Sequence, residues 1–229
     1  MANADDARIA ALREFTACDI SDALVKLKVP GAGFLPDLQL LGRPSAADAP
    51  VIIAPASTIL FARKGEMLDS PQANIPKDTH WADMTQSGTV VIIRQPDGQK
   101  NAVCGGIMAV RMKVRQAKAV VVVGRARDLG ELASTGIPIW TRGFSTVGAG
   151  AESTPWAVQV PINVDGTVIN PGDLVFADPA NGVVAIPKDK IDQVLELLPK
   201  LTAADDKVKE DVLRGVSVHD AFKNHRNNL

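Results

Sequence analysis

The chain has only two cysteines, Cys18 and Cys104, and they lie far apart in its 229 residues. Two distant cysteines provide neither the disulfide framework of a small secreted protein nor a clustered zinc motif, so they indicate a reducing compartment. The first residues are acidic, whereas a secretory signal peptide begins with positive charge and continues with an apolar core. The arginine-rich bias of a transit peptide is missing as well. We therefore expect a soluble, cytoplasmic protein.

Long apolar runs and an excess of positive charge are also missing. No run approaches the roughly 18 apolar residues that span a bilayer, so we expect no membrane span. The formal net charge is −1 and the pI is near 6.3, so the chain lacks the excess of basic residues that supplies most of the affinity for DNA or RNA. Neither a membrane nor a nucleic acid is expected as a partner.

No linker, internal repeat or low-complexity segment divides the sequence. Apolar residues make up 46% of the composition, which is enough for one large core, so we expect a single domain over residues 1–229. A helical extension is expected from about residue 188. It contains two amphipathic segments, 188–198 and 203–214, which predict helices packed on the body or on a neighbouring subunit.

Predicted helices and strands follow one another in mixed order, which indicates an α/β protein with a substantial β component. Helices are expected over residues 5–16 and 21–27, and strands over residues 51–54, 58–62, 89–93 and 137–141. Residues 157–186 alternate apolar runs with Asp-Gly, Pro-Gly-Asp and Asn-Gly turns. That alternation predicts an antiparallel meander.

The most informative segment covers residues 101–128. Residues 104–117 contain no proline and many good helix formers, and Gly105-Gly106 would open this helix with backbone N–H groups available to an anion. Residues 119–123 are small or β-branched, which is typical of a strand covered on both faces. Roughly 12 helical residues are as long as about five extended ones. The glycine pair and Arg127-Asp128 should therefore share one edge of the sheet.

Open α/β sheets bind ligands at such an edge, where the carboxyl ends of strands meet the amino ends of helices. Arg127 could fork onto a carboxylate or a developing oxyanion, and Asp128 could hold a hard cation. The alternative is that Asp128 caps a short helix over residues 129–134, with Arg127 as its surface partner.

Three further features invite functional interpretations. Cys104 lies at the predicted helix start, where a thiol pKa can fall, but it could equally be a small buried apolar residue. His80 and Asp83 could form a metal pair on one helical turn, or His80 could cap or hydrogen bond locally, since no third ligand is spaced to complete a zinc site. The glycines of residues 145–150 could cradle phosphate, but they match no nucleotide-binding fingerprint and favour a turn.

Three segments together resemble the RraA-like family, which includes the divalent-metal 4-hydroxy-4-methyl-2-oxoglutarate aldolases: NAVCGGIMAVRMK, VVVVGRARDLGELASTGIPIWTRG and PGDLVFADPANGVVAIP. The similarity covers roughly residues 21–198. Its most specific element is the Arg-Asp pair that follows a strand, 21 residues beyond the helix-opening position. The resemblance implies a β/β/α sandwich of the swivelling-domain type with peripheral N- and C-terminal helices. It also implies a homotrimer or hexamer with active sites near subunit interfaces.

The resemblance implies roles for individual residues: a substrate-binding turn from Gly105, Gly106, Ile107 and Met108, a catalytic substrate ligand in Arg127, and a catalytic Mg²⁺ or Mn²⁺ ligand in Asp128. The aldolases usually carry an acidic residue where this chain has Gly106. They also draw acidic side chains from the C-terminal region of an adjacent subunit. The candidates for that contribution here, without a motif match, are Asp205, Asp206, Glu210 and Asp211.

The implied activity is that of a metal-dependent lyase acting on a small 2-oxo acid. A metal on Asp128 would chelate a pyruvate-like unit, while Arg127 and the helix start neutralise charge on the enolate. Cleavage of 4-hydroxy-2-oxo acids and decarboxylation of oxaloacetate share that enolate, and no Schiff-base lysine is needed. The alternative is a non-catalytic, protein-binding regulator of a ribonuclease. Gly106 keeps this alternative open, whereas the Arg127-Asp128 pair favours an enzyme.

Overall fold

A computed structural model describes residues 4–42 and 50–226 of the chain and has the mixed α/β order expected from the sequence. Its helices are α1 (Ala4–Leu12), α2 (Ala17–Lys26), α3 (Gly106–Val114), α4 (Leu129–Ser134), α5 (Ile191–Leu213) and α6 (Val218–Arg226). Its strands are β1 (Phe34–Leu35), β2 (Gln39–Leu40), β3 (Ile52–Arg63), β4 (Val90–Arg94), β5 (Ala119–Ala126), β6 (Ile139–Phe144), β7 (Ser153–Val158), β8 (Ile162–Val164), β9 (Thr167–Ile169), β10 (Leu174–Asp178) and β11 (Gly182–Ile186). Within these described ranges, no helix is both long and apolar enough to cross a membrane.

One large sheet organises the fold. Its strands lie in the order β1, β11, β10, β3, β4, β5, β6, β2, and β7 also pairs with β3. The central strands β3 to β6 run parallel, whereas β10 and β2 join them antiparallel. The antiparallel meander predicted over residues 157–186 is confirmed in its two hairpins, β8–β9 and β10–β11, but it is not continuous, because β9 does not pair with β10. Strands β8 and β9 form a hairpin of their own, because their apolar residues cover the sheet instead of extending it, while β10 joins β3.

The parallel strands are buried on both faces, which explains their uninterrupted apolar sequences. On one face, Val122 of β5 lies in a cluster with Met112 of α3. On the opposite face, Val121 lies in a cluster with Ile162 and Ile169 of the β8–β9 hairpin. Hairpin, sheet and helices thus form three layers, which confirms the expected β/β/α sandwich.

The two strands predicted over residues 51–54 and 58–62 are one strand, β3, with Pro55 near its middle. Ile52 to Pro55 pair with β10, and Ala56 to Leu60 pair with β4. Proline has no N–H to donate to a ladder and is normally confined to edges and irregular positions of sheets. Here Pro55 is exposed and lies where β3 exchanges one partner for another, so the strand continues past it.

The N-terminal helices begin and end elsewhere than predicted. Helix α1 ends at Leu12 instead of Thr16, and α2 begins at Ala17 instead of Ser21. Thr16 is the N-cap of α2: its Oγ1 accepts a hydrogen bond from Asp19 N at 3.3 Å, and Asp19 Oδ2 accepts one from Thr16 N at 2.8 Å. This reciprocal capping box, worth roughly 1 kcal/mol, fixes a new helix start where the sequence seemed to continue the first helix.

The helices predicted over residues 188–198 and 203–214 are a single helix, α5, which contains Pro199. Proline inside a helix removes a backbone hydrogen bond and costs on the order of 3 kcal/mol. Pro199 is exposed, whereas Leu198 and Leu201 are buried in a cluster with Leu24 of α2. Burial of this apolar stripe offsets the lost hydrogen bond and packs α5 on the body of the protein.

Candidate functional site

Helix α3 begins at the same edge of the sheet at which β5 ends, as the lengths of the two elements predict. Cys104 forms a parallel bridge to Ala126, and Arg127 N donates a hydrogen bond to Cys104 O at 3.0 Å. These contacts bring the glycine pair that opens α3 next to Arg127 and Asp128. The helix is shorter than the expected span of 104–117, because Cys104 belongs to the sheet edge and Gln116 has a positive φ of 64°.

The amino end of α3 is open. Its N-cap is Gly105, which has no side chain to cap the helix. The N–H groups of a first helical turn have no acceptor within their own helix, and the helix dipole gives them a partial positive charge. Gly106 N donates a long hydrogen bond of 3.4 Å to Asp128 Oδ2. This end of α3 therefore suits a negatively charged group.

Asp128 directly precedes α4, but its side chain makes no capping hydrogen bond to that helix. Its backbone is left-handed, with φ 60° and ψ 48°. This conformation costs on the order of 1 kcal/mol and, among residues with a Cβ, is most accessible to Asp and Asn. The carboxylate meets Gly106 and also Arg127, whose Nε lies 3.1 Å from Oδ2 and 3.2 Å from Oδ1. The capping interpretation of Asp128 is therefore wrong, although its ion pair with Arg127 exists.

Two glycines leave the space that this ion pair fills. A Cβ on Gly105 would lie 2.7 Å from Asp128 Oδ2, and a Cβ on Gly148 would lie 2.8 Å from Arg127 Nη1. Both distances are shorter than real side-chain contacts, so a residue other than glycine would displace the charged groups. Gly148 belongs to the glycine-containing run 145–150, where the turn expected from the sequence leads into a short 3₁₀ helix over Ala149–Ala151.

Gly106 leaves space for a residue that sequence reasoning missed, Glu131 of α4. A Cβ on Gly106 would lie 2.0 Å from Glu131 Oε2 and 2.6 Å from Glu131 Cβ. Glu131 is exposed, and its carboxylate has no hydrogen-bond or ion-pair partner within residues 4–42 and 50–226. No sequence signal was available for this position, because it depends on the left-handed backbone of Asp128, which directly precedes α4.

The Arg127–Asp128 pair lines a cleft of about 230 Å³. The other residues around the cleft are His80, Trp81, Ala102, Val103, Cys104, Gly105, Ile107, Met108, Gly148 and Ala149. The Arg127 and Asp128 side chains are 40% and 36% exposed, so a small solute can reach both. Gly105, Ile107 and Met108 of the expected substrate-binding turn border the cleft, whereas Gly106 is buried behind them.

His80 and Asp83 do not form a metal pair. His80 Nδ1 accepts a hydrogen bond from Ala82 N at 3.2 Å and caps a short 3₁₀ turn over Trp81–Met84. The Asp83 carboxylate is bound by Arg111 of α3. The capping interpretation of His80 is thus confirmed, and its ring forms one wall of the cleft.

Cys104 is buried, so it is not the reactive thiol that a helix start would allow. Burial raises the pKa of the Cys104 thiol to about 12, and the nearby Asp128 carboxylate adds to the shift. The protonated thiol is a poor nucleophile at neutral pH. The alternative interpretation, a small buried apolar side chain, is the one that the structure supports.

The side chains around the Arg127–Asp128 pair fit a hydrated cation that prefers oxygen ligands, such as Mg²⁺, better than they fit zinc. In the part of the chain that the structure describes, no three His, Cys, Asp or Glu side chains gather into a ligand set. Structural zinc takes four protein ligands, whereas Mg²⁺ keeps several waters and uses one or two carboxylates together with substrate oxygens. A carboxylate such as that of Asp128, partly exposed at the mouth of a cleft, suits the second mode.

Two of the four acidic candidates on α5 are paired with residues of α6 in the same chain. Asp205 forms an ion pair with Arg226, and Asp211 Oδ2 lies 2.7 Å from His225 Nε2. Both contacts attach α6 to α5. The pKa of the Asp211 carboxyl is lowered from its ordinary value by the hydrogen bonds from His225 and Arg214. The other two candidates, Asp206 and Glu210, are exposed on the same helix.

A second cleft of about 240 Å³ has an apolar lining. Leu40, Leu132 and Trp140 contribute to its wall, and none of the described residues around it is charged. Acid–base or metal chemistry has no side chain to act through there. Of these two clefts, only the one that contains the Arg127–Asp128 pair is lined by charged side chains.

The family model described as RraA-like, Aldolase/RraA, matches residues 17–185. The chain therefore belongs to the RraA-like family. A relative from Halalkalibacterium halodurans named "Putative 4-hydroxy-4-methyl-2-oxoglutarate aldolase" is 32% identical over 123 residues, which cover 54% of this chain and 57% of that protein. The matched stretches span between 32% and 62% of the length of the curated relatives.

Solved structures share the fold. An uncharacterised protein from Pseudomonas syringae pv. tomato superposes with a TM-score of 0.71 at 22% identity, over 94% of this chain and 96% of that one. Streptomyces coelicolor RraAS2, described as an unusual member of the RNase ES inhibitor RraA protein family, superposes with a TM-score of 0.68 at 23% identity, over 93% and 98%. At these identities the comparison establishes the fold alone.

Proposed function

We propose that this protein is a divalent-metal-dependent lyase that cleaves 4-hydroxy-2-oxo acids, of the 4-hydroxy-4-methyl-2-oxoglutarate type, to pyruvate. The same site would decarboxylate oxaloacetate. The observation that carries the proposal is the Arg127–Asp128 ion pair at the mouth of a cleft, beside the open amino end of α3. The name of the 32% identical relative supports the same activity.

The charges around the cleft suit an acidic substrate. Arg127 uses Nε for Asp128, which leaves both Nη groups to fork onto a substrate carboxylate or an enolate oxygen. The N–H groups at the start of α3 lie beside Arg127 and would neutralise the same negative charge of the substrate. Because cleavage and decarboxylation both leave an electron pair on the same carbon of pyruvate, one set of donors would serve both reactions.

Asp128 would hold Mg²⁺ or Mn²⁺, and the bound cation supplies Lewis-acid polarisation of a substrate oxygen. Among the described residues around the cleft there is no lysine, so imine chemistry has no amine there. In this proposal, the Asp128 side chain would bind the cation, and the Arg127 side chain would bind the negatively charged group of the substrate. The backbone at Gly105 and Gly106 completes the anion-binding wall.

We also propose that the protein is a homotrimer or hexamer. Support comes from three exposed apolar side chains of α3, Ile107, Val110 and Val114, which are 76%, 51% and 64% exposed. Their spacing of three and four residues puts them on one face of the helix. Exposed apolar faces of this kind typically mark contacts between proteins. The sequence alone suggested the C-terminal helices as the subunit contact. In the structure, buried apolar residues of α5 pack against α2 of the same chain instead.

The proposal is tested by pyruvate release from oxaloacetate and from 4-hydroxy-4-methyl-2-oxoglutarate, each with chelator and with added Mg²⁺ or Mn²⁺. We expect turnover only with the metal. Asp83→Asn is a matched control for Asp128→Asn, because Asp83 also pairs with an arginine, Arg111, but is not part of the cleft. Full turnover in chelator would contradict the metal mechanism. No pyruvate from either substrate would contradict the lyase and favour the ribonuclease-binding alternative.

A further inference from the structure

A third cleft, of about 210 Å³, lies beside the β8–β9 hairpin, near the edge of the sheet where β4, β5 and β6 end. Each of these strands contributes one arginine to it: Arg94 from β4, Arg125 from β5 and Arg142 from β6. Arg94 and Arg142 each follow by two residues a side chain in the cluster under the hairpin, Ile92 and Trp140, and alternate residues of a strand share a face. Three neighbouring strands thus each place an arginine at one cleft.

The lining of this cleft has more positive than negative charge. Lys100 is a fourth basic residue there, and Asp97 is the one acidic residue among the described residues around it. Arg94 Nη2 donates a hydrogen bond to Asp97 Oδ2 at 2.7 Å, which lowers the pKa of this carboxyl from its ordinary value. The positive charges of Arg142 and Arg63 lower the same pKa further. Cations from several elements therefore surround one point of the surface.

Arg125 is the cation of this cleft that the fold provides with no counterion. Its Nη1 donates a hydrogen bond to Phe144 O at 3.0 Å, but within residues 4–42 and 50–226 it has no ion-pair partner. Arg142, in contrast, pairs with Asp165. The side chains of Arg94 and Arg142 are only 13% and 18% exposed, so water screens their charges weakly. The repulsion between Arg125 and these neighbours would be relieved by a bound anion.

The donors and the size of the cleft suit a phosphate group. Nε and Nη2 of Arg125 and Nη1 of Arg142 donate to no group in the part of the chain that the structure describes. Guanidinium groups from different strands approach an anion from several directions, as the oxygens of a tetrahedral dianion require, whereas one forked arginine satisfies a carboxylate. Lys100 is exposed at the rim and adds a point charge. A volume of about 210 Å³ admits a small anion.

This cleft is separate from the one that contains the Arg127–Asp128 pair. The two have no lining residue in common over the described ranges. They also lie on opposite faces of the sheet, since Val103 of the first packs with residues of α3 and Val123 of the second packs with residues of the hairpin. Arg125 and Arg127 are two residues apart but line different clefts, so each can be substituted without the other.

We propose that this cleft binds a phosphate group, either as free phosphate or on a small phosphomonoester, through four basic side chains: Arg94, Lys100, Arg125 and Arg142. Asp97 competes with the ligand for the N–H groups of Arg94. The inference goes beyond the lyase activity and does not depend on it, because none of these residues belongs to the Arg127–Asp128 cleft.

The direct test is calorimetric titration of the full-length protein with inorganic phosphate, without divalent cations and with sodium chloride holding the ionic strength constant. Arg125→Ala should raise the Kd by at least about tenfold, through the loss of charge-assisted hydrogen bonds. Arg127→Ala is the matched control and should leave the Kd unchanged. A wild-type Kd in Arg125→Ala would overturn the inference. Binding lost in Arg127→Ala instead would overturn it too, because phosphate would then occupy the start of α3.

Thermal melts distinguish lost binding from lost folding. Arg125→Ala should keep the wild-type Tm without phosphate, because Arg125 has no ion pair to lose in the described chain. Phosphate should raise the Tm of the wild type but not that of Arg125→Ala, since a ligand stabilises only the protein that binds it. Arg125→Lys keeps the charge without the forked geometry, so its Kd should lie between the other two. An equal rise of the Tm in all three proteins would overturn the inference.

A change of opposite sign is expected at Asp97. Asp97→Asn removes the carboxylate that competes for Arg94, so the Kd for phosphate should fall by about threefold, the size of an exposed ion pair. Asp83→Asn is the matched control, because Asp83 pairs with Arg111 away from this cleft, and it should leave the Kd unchanged. An Asp97→Asn variant that binds phosphate no more tightly than the wild type would overturn the inference.

The choice of probe identifies the ligand. Tighter binding of glycerol phosphate than of inorganic phosphate supports a phosphomonoester, and the reverse order supports free phosphate. Tighter binding of malonate, a dicarboxylate, than of both would overturn the assignment to phosphate. The pyruvate assay keeps the two proposals apart: phosphate binding without pyruvate release contradicts the lyase alone, and pyruvate release without phosphate binding contradicts this inference alone.

Discussion

Asp128 Oδ2 accepts a hydrogen bond from Gly106 N at 3.4 Å, across the gap between the end of β5 and the start of α3. This distance is longer than that of a strong N–H···O bond, so the contact is weak and a ligand can replace it. The carboxylate is held in the cleft chiefly by the left-handed backbone of Asp128 and by Arg127. The Asp128 carboxylate is therefore held in position and can still bind a ligand.

Replacement of Arg127 separates charge from geometry. Arg127→Lys keeps the charge but loses the paired N–H groups, so we expect kcat/KM to fall by roughly tenfold or more. Arg127→Ala should cost on the order of 3 kcal/mol of transition-state stabilisation. Both variants should keep the wild-type Tm, because an exposed ion pair contributes little to folding. Steady-state kinetics and thermal melts check this prediction.

The control for Arg127→Lys is Arg111→Lys, because Arg111 forms a comparably exposed pair with Asp83 outside the cleft. It should leave kcat/KM unchanged. If Arg127→Lys matches the wild type in turnover, or if Arg127→Ala only lowers the Tm, Arg127 is a structural partner and the candidate site is wrong.

Substitutions of Asp128 distinguish a metal ligand from a helix cap. Asp128→Gly suits the left-handed backbone, so we expect the free energy of unfolding to stay at or above the wild-type value. Metal-dependent turnover should be lost, because the carboxylate is gone. A capping role predicts the opposite pattern, with activity kept. Chemical denaturation and the pyruvate assay together decide between the two.

The shared edge of α3 and β5 could be predicted because helix and strand lengths follow from backbone geometry alone. The position of Glu131 could not be predicted in this way. It depends on the left-handed turn at Asp128, which sets the direction of the short helix α4. Asp and Asn adopt that conformation only occasionally, so the sequence does not reveal it.

The two cysteines should differ in reactivity. Cys18 is exposed, whereas Cys104 is buried and its thiol pKa is raised to about 12. At pH 8 a disulfide reagent such as DTNB should therefore label one thiol in the folded protein and two after denaturation. Cys104→Ala should keep metal-dependent turnover. Rapid native labelling of Cys104, or loss of turnover in a folded Cys104→Ala, would restore a chemical role for this thiol.

The exposed face of α3 should be a subunit contact. Val110→Asp places a charge in the middle of that face, so we expect the oligomer to dissociate, as measured by light scattering coupled to size exclusion. Val168→Asp is the matched control, because Val168 is also 51% exposed but lies on β9. A wild type that is strictly monomeric and fully active would contradict the oligomer proposal.

Attachment of α6 should weaken in acid. The pKa of Asp211 is lowered in the folded protein by His225 and Arg214, so its contribution to stability is present above the ordinary carboxyl range and is lost as the pH falls through the lowered value. We expect the Tm difference between the wild type and Asp211→Asn to shrink from pH 6 to below pH 4. Thermal melts across this range check the prediction, and a constant difference would contradict it.

The two prolines show where local sequence rules give way to burial. Pro55 and Pro199 each predict the end of an element, yet β3 and α5 pass through them. Both prolines are exposed, so each ring lies on the solvent side of its element while the neighbouring apolar residues stay packed. The sequence pattern contains the break signal but not the tertiary contacts that outweigh it.

Strand β3 also determines the order in which the protein can be completed. Its second half pairs with β4, which follows soon in the chain, but its first half pairs with β10, near the C-terminal helices. During synthesis the segment from Ile52 to Pro55 therefore remains an open sheet edge until Leu174 to Ala177 have left the ribosome. Such late, sequence-distant pairing slows folding and exposes a template for aggregation in the meantime. Expression yield should thus be most sensitive to substitutions in β10 and in the first half of β3.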